Sequence, residues 1–130
     1  MKYAYTILYV EQVEETLNFY EKAFGFRQKF ITPEKDYGEL LSGETTLAFA
    51  SIALGESNFK QGFQPIPKSG KPMGAELVFT TNEIDTDFQK ALDAGAAEYE
   101  PITQKPWGQR VGYVRDNNGF LIEICTPIAA

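Results

Sequence analysis

The chain has no histidine, one cysteine and one tryptophan in 130 residues. Without imidazole there is no Ser-His-Asp or Cys-His catalytic pair, and no histidine-ligated zinc or iron site within one chain. With Cys125 alone there is no intrachain disulfide, and a lone thiol suits a reducing compartment. Basic residues are scarce too: 12 Lys and Arg against 18 Asp and Glu leave a net charge of −6. That balance argues against an electrostatic surface for nucleic acid or an anionic membrane. No run approaches the ~20 apolar residues of a membrane span. The apolar N-terminal segment meets Glu11 before any small-residue cleavage site, so no signal peptide is read and a cytoplasmic location is expected.

What is present is the composition of an ordered globule, 43% hydrophobic and 14% aromatic. The length suits one domain. Residues 3–10 read as a strand apolar on both faces. Val13, Leu17, Tyr20 and Phe24 then form one stripe of a helix that Gly25 ends. Strands follow near Phe26–Ile31, Tyr37–Leu41 and Thr45–Ile52, with a turn at Gly43-Glu44. Between Gly55 and Pro72 no period is visible, and three prolines and two phenylalanines interrupt the chain. Loops of this length serve as lids or linkers.

The pattern then restarts. Gly74–Thr80 reads as a strand. Asn82 is expected to cap a helix with Asp85 at its third position. Ile84, Phe88 and Leu92 make that helix's stripe, and Gly95 ends it. Strands follow near Glu98–Ile102, Gln109–Arg115 and Phe120–Cys125, the last two joined by Asp116-Asn117-Asn118-Gly119. Placing Tyr5 on Glu76 aligns Val13 with Ile84 and Leu17 with Phe88. The fold expectation is therefore α+β: two tandem βαβββ modules, 1–53 and 74–130, with 54–73 as linker. One helix per module covers one sheet face, which leaves a curved, cup-like mixed sheet with helices outside and a concave face for a ligand or partner chain.

The residues that carry a family resemblance span both modules. They are Tyr9-Val10 leading to Leu17-Asn18-Phe19-Tyr20 and Phe24-Gly25-Phe26, then Lys105-Pro106-Trp107-Gly108, and above all Tyr113-Val114-Arg115-Asp116-Asn117-Asn118-Gly119-Phe120-Leu121-Ile122-Glu123-Ile124. The sequence resembles the vicinal oxygen chelate superfamily of glyoxalase I, extradiol dioxygenases, and fosfomycin and bleomycin resistance proteins. The resemblance implies a homodimer. It also implies four metal-ligand positions, which fall here on Tyr5, Phe49, Glu76 and Glu123. Only Glu123 keeps the pattern, and phenylalanine offers no ligand atom. No resident cofactor is expected, although Glu76 and Glu123 would suit Mg²⁺ or Mn²⁺ held weakly among waters.

Strand alternation puts Glu123 on one face with Leu121 and Cys125, opposite Ile122 and Ile124, and sets Glu76 against Leu77 and Phe79. A carboxylate on an apolar face needs a partner. That partner is Arg110, Arg115 or a lysine if the pair is structural, and a cationic or hydrogen-bonding ligand if it is functional. Glu123 is the best candidate for a general base. Tyr5, Tyr9, Phe49, Trp107 and Tyr113 are candidate ligand-lining aromatics, each of which also reads singly as core; Trp107 reads as a rim residue. Phe59 and Phe63 read equally as a lid or as packing under the connector. Cys125 reads as an inert buried thiol.

Two functional classes follow. The favoured one is metal-free binding or sequestration of a hydrophobic or aromatic small molecule in the inter-module cup, as in the bleomycin-resistance branch. The alternative is a lyase, isomerase or dioxygenase-type enzyme using Glu76 and Glu123 with a weakly held metal or as general base. An accessory subunit whose cup a partner chain fills is a third possibility.

Overall fold

The computed structural model describes residues 1–128. The chain divides into two compact units, Met1–Ile66 and Pro67 onward. The first holds β1 (Thr6–Val10), α1 (Val13–Phe24), β2 (Arg27–Ile31), β3 (Tyr37–Ser42), β4 (Thr45–Ser51) and α2 (Ile52–Asn58). The second holds β5 (Glu76–Thr80), α3 (Ile84–Asp93), β6 (Ala97–Gln104), β7 (Arg110–Arg115) and β8 (Leu121–Cys125). The order strand, helix, three strands thus occurs twice, and the class is α+β. The strands form two four-stranded sheets, one in each unit, ordered β1-β4-β3-β2 and β5-β8-β7-β6.

Topology follows from the connections. A helix after β1 carries the chain across to the far edge, where β2 begins, and two antiparallel returns bring β4 back beside β1. Only the β1–β4 contact is then parallel, as parallel neighbours require a crossover. The second unit repeats this with β5 and β8.

Each helix seals one face. Val13, Leu17 and Tyr20 of α1 are buried as their spacing predicts, and Tyr20 packs on Phe49 with ring centroids 4.9 Å apart. Full burial of such side chains contributes about 1.5–3 kcal/mol each. In α3 the buried stripe is Ile84, Phe88 and Ala91. Both helices approach the third strand of their sheet over a glycine. A Cβ on Gly38 would stand 2.5 Å from Leu17, and one on Gly112 would stand 2.7 Å from Phe88. Leu17 and Phe88 are the pair that the duplication aligns, so the same contact is built twice.

Two local expectations change. Asn82 does not cap α3. The cap residue is Glu83, and the Thr81 hydroxyl does the turn's work, accepting from Glu83 N at 2.9 Å and donating to Asp87 at 2.5 Å. Asp85 is turned instead toward Arg110. The aperiodic connector opens with a helix, α2, whose N-cap Ser51 accepts from Leu54 N at 3.1 Å. Gly55 in that helix lets it settle on Tyr9 and Phe63, which a Cβ would meet at 2.8 and 2.7 Å.

The Asp116–Gly119 turn joins β7 to β8. Asp116 Oδ1 accepts from Asn118 N and Phe120 N, each at 2.8 Å. Gly119 adopts φ +87° and lies so close to the chain at Pro67–Lys68 that a Cβ would stand 2.8 Å from Lys68 Cα. Arg115 ties the same segment down through the carbonyls of Gly119, Pro67 and Gly70. Gly119→Ala combines a left-handed backbone with a backbone collision, so it is expected to cost about 2–4 kcal/mol in a urea titration. An unchanged midpoint would mean that the 67–70 strap does not hold this turn.

Candidate functional site

Ladder register assigns each strand residue to the helix face or the far face of its sheet. In the second unit Val78, Glu123 and Tyr113 form one row across β5, β8 and β7. Ile122 and Ile124 are buried on the opposite, helix side. Glu76 shares the far face two residues before Val78, and Cys125 shares it two residues after Glu123. The residues expected to act together, Glu76, Glu123 and Tyr113, therefore occupy one patch, flanked by Val78 at 51% exposure.

Glu123 is the hub of that patch. The Tyr113 hydroxyl donates to its Oε1 at 3.2 Å. The Cys125 thiol and the Glu76 carboxyl also hydrogen-bond to it. Two carboxylates cannot bond to each other without a proton between them. Burial, that bond and the Glu123 charge accordingly raise the Glu76 carboxyl above its ordinary 4.5. Burial first, then the Glu123 charge, pushes the Tyr113 phenol up to about 12. Burial and the same carboxylate push Cys125 up to about 11, which leaves it a poor nucleophile at neutral pH.

The arginines that offered a structural partner are engaged elsewhere. Arg110 forms a two-pronged ion pair with Asp85 at 2.8 and 2.9 Å. Arg115 binds the carbonyls of the turn and strap. The neighbours of Glu123 are instead the Glu76 carboxyl, the Tyr113 phenol and the Cys125 thiol.

In the first unit the corresponding row is Ile7, Ala48 and Glu39. The expectation that Phe49 lines a face with Tyr5 and Tyr9 is corrected. Phe49 pairs with Leu8 and Gly38 on the helix face and is wholly buried against Tyr20. With Tyr5 placed on Glu76, the residue equivalent to Glu123 is Ala48. Tyr9 does stand on the far face, beside Ala50. Its ring is occupied by Phe63 and Phe59, with centroids 4.9 and 6.0 Å away, so the connector phenylalanines pack on their own module.

Two functional candidates escaped the sequence reading, Tyr37 and Glu39. The Tyr37 hydroxyl donates to Glu39 Oε2 at 2.6 Å, and Lys29 Nζ lies 3.4 Å from Oε1. Burial, then Glu39 and Tyr5, raise the Tyr37 phenol well above its ordinary 10. Aligning Gly38 on Gly112 would have found Glu39, because it then falls on Tyr113.

Trp107 sits apart from the carboxyl pair. It is 66% exposed on the turn between β6 and β7, with Nε1 donating to Gln109 Oε1 at 2.9 Å. Among the described residues no group of three or more Cys, Asp or Glu is arranged to hold a metal ion. No helix among them is long and apolar enough to cross a membrane.

Comparison with known proteins agrees with this architecture. The family model described as Glyoxalase/Bleomycin resistance protein/Dioxygenase superfamily matches residues 2–124. An uncharacterized protein of Mycobacterium bovis is 26% identical over 125 residues, covering 93% of this chain and 80% of that protein. Among solved structures, a glyoxalase-related enzyme from Fulvimarina pelagi is 20% identical with TM-score 0.79, covering 98% of this chain and 88% of that one. TioX from Micromonospora sp. ML1 is 20% identical with TM-score 0.73, covering 97% and 98%.

The raised Glu76 carboxyl has a measurable consequence. Glu76 holds its proton more tightly folded than unfolded, so the stabilisation is complete below pH ~4.5 and is lost as pH rises through the raised value. Chemical denaturation across this range should show wild-type stability falling with pH, and Glu76→Gln should remove that slope. Parallel profiles for the two proteins would show that folding does not raise the Glu76 carboxyl.

Proposed function

The chain belongs to the Glyoxalase/Bleomycin resistance protein/Dioxygenase superfamily, and we propose that it is a metal-free binder of hydrophobic or aromatic small molecules. The observation that carries this reading is the Glu76–Glu123 pair on the far face of the second sheet. The Glu76 carboxyl is raised above its ordinary value beside Glu123, while Arg110 is engaged by Asp85 and Arg115 by backbone carbonyls. Val78 adds aliphatic surface and Tyr113 an aromatic ring. An amine or ammonium on a flat apolar body would satisfy both features, with the charge supplying direction and the apolar area supplying affinity.

The chelate chemistry of the family's metalloenzymes does not fit these residues. Of the four ligand positions, one falls on buried Phe49, and its far-face neighbour Ala48 has no donor atom either. The proposed protein is cytoplasmic and homodimeric; members of the family are commonly dimeric.

The second reading, a lyase, isomerase or dioxygenase-type enzyme, draws on the same pair. A carboxyl raised above its ordinary value beside a second carboxyl is suited to proton transfer next to a carbonyl. Glyoxalase-type turnover that disappears in Glu123→Gln would favour it.

Binding is tested with 9-aminoacridine, a cation at neutral pH, against neutral acridine. The cation is expected to bind at least about tenfold more tightly, and Glu76→Gln/Glu123→Gln should erase the difference. Equal affinities would remove the carboxyl pair from recognition. Elemental analysis of protein purified without a histidine tag is expected to find no stoichiometric divalent ion, even after soaking in manganese. A full equivalent would move the enzyme reading ahead.

A further inference from the structure

On the far face of the second sheet, Leu121 pairs with Glu76 on one side and with Arg115 on the other, so Arg115 ends the row that Glu76 begins. Glu123 stands two residues beyond Leu121 on the same face, which makes it a diagonal neighbour of Arg115 across β7 and β8. Such diagonal neighbours lie about 7–8 Å apart, within reach of a long side chain. An ion pair between Arg115 and Glu123 is thus what strand geometry alone would favour. The bonds of Arg115 go elsewhere. Nε donates to the Gly119 carbonyl at 3.0 Å, one terminal nitrogen to Pro67 at 2.9 Å, and the other to Gly70. A planar guanidinium suits this set of acceptors, because its donors point in fixed directions. Two of the carbonyls belong to the Pro67–Gly70 strap, which Gly119 lets lie against the turn: a Cβ there would stand 2.8 Å from Lys68 Cα.

We infer that Arg115 is a positioning residue for cation recognition: the Pro67–Gly70 strap holds its guanidinium away from Glu123 and so leaves the carboxyl pair to a cationic ligand. The guanidinium cannot serve the carbonyls and the carboxylate at once. With the strap in place its donors are satisfied at the turn end of the sheet. With the strap displaced, the freed guanidinium turns to Glu123 and takes the place that the ligand's ammonium would occupy. The strap thereby sets the charge preference of a face on which it supplies no side chain. The inference rests on the carboxyl-pair reading above and goes beyond it by naming what keeps that pair available.

The test moves the strap without touching Arg115. Gly70 has φ +75° and is exposed, and a Cβ there would meet nothing within 4 Å, so Gly70→Val acts on the backbone alone, which a branched residue drives out of this conformation. The preference for 9-aminoacridine over acridine, about tenfold in wild-type protein, is expected to fall to within about threefold in Gly70→Val. Adding Arg115→Gln to Gly70→Val should restore it, because no guanidinium then competes for Glu123. Gly119→Ala, which pushes the strap by collision, should lower the preference in the same way. A merely structural strap would weaken both acridines together. An undiminished preference in both strap variants, or no restoration by Arg115→Gln, overturns the inference and leaves the carboxyl-pair reading standing. Urea unfolding tests the same inference without ligand. Arg115→Gln and Glu123→Gln should act independently, within about twofold in the unfolding constant, in wild-type protein and couple by at least about fivefold in Gly70→Val. Independence in both backgrounds overturns the inference. If 9-aminoacridine fails to bind wild-type protein, the carboxyl-pair reading falls, and the coupling alone decides whether the strap withholds Arg115.

Discussion

One helix cannot cover both faces of a four-stranded sheet. Each unit of this chain has a single helix in the crossover after its first strand, and that helix lies on one side of its sheet. The consequences divide by face. On the helix side the packing is close enough that the third strand has glycine under the helix, Gly38 under Leu17 and Gly112 under Phe88. On the far side the side chains answer to other demands, and that is where the carboxylates and phenols collect.

The far faces solve the same electrostatic problem in two ways. A carboxylate on a largely apolar sheet must be compensated. In the first unit Glu39 is compensated by Lys29 and by the Tyr37 phenol. In the second, Glu123 meets the Tyr113 phenol, the Cys125 thiol and the raised Glu76 carboxyl. The register shows the far-face row differing between modules: Glu39 stands where Tyr113 does, and Ala48 where Glu123 does. Duplication has kept the frame, the glycine contact and the choice of face, while the chemistry on that face has diverged. The donor set is therefore different in each half.

Much of the fold was legible because hydrophobic spacing reports burial directly. The Val13–Phe24 helix was read with its observed ends, and the eight strands fell within a few residues of their places. The α2 helix was not legible. Seven residues containing glycine and two serines or asparagines show no stripe, and the helix exists because Ser51 caps it and Gly55 lets Tyr9 and Phe63 come close. Asn82 looked like the cap of α3, but the Thr81 hydroxyl reached the free amide first.

The sequence by itself determined the duplication, the absence of imidazole and the faces of Glu76 and Glu123, because composition and a period of two are local properties. It could not decide which of the two apolar faces of β4 turns to the helix, and so misplaced Phe49. Alternation fixes that residues 48 and 49 oppose each other, but only packing against Tyr20 says which one is inside. The partners of the carboxylates were likewise beyond it. Arg110 and Arg115 were available in the chain, and tertiary structure directed them to Asp85 and to the carbonyls of the Pro67–Gly70 strap. Ion pairs and hydrogen bonds form between groups distant in sequence, so their choice rests on distances that only the folded chain sets.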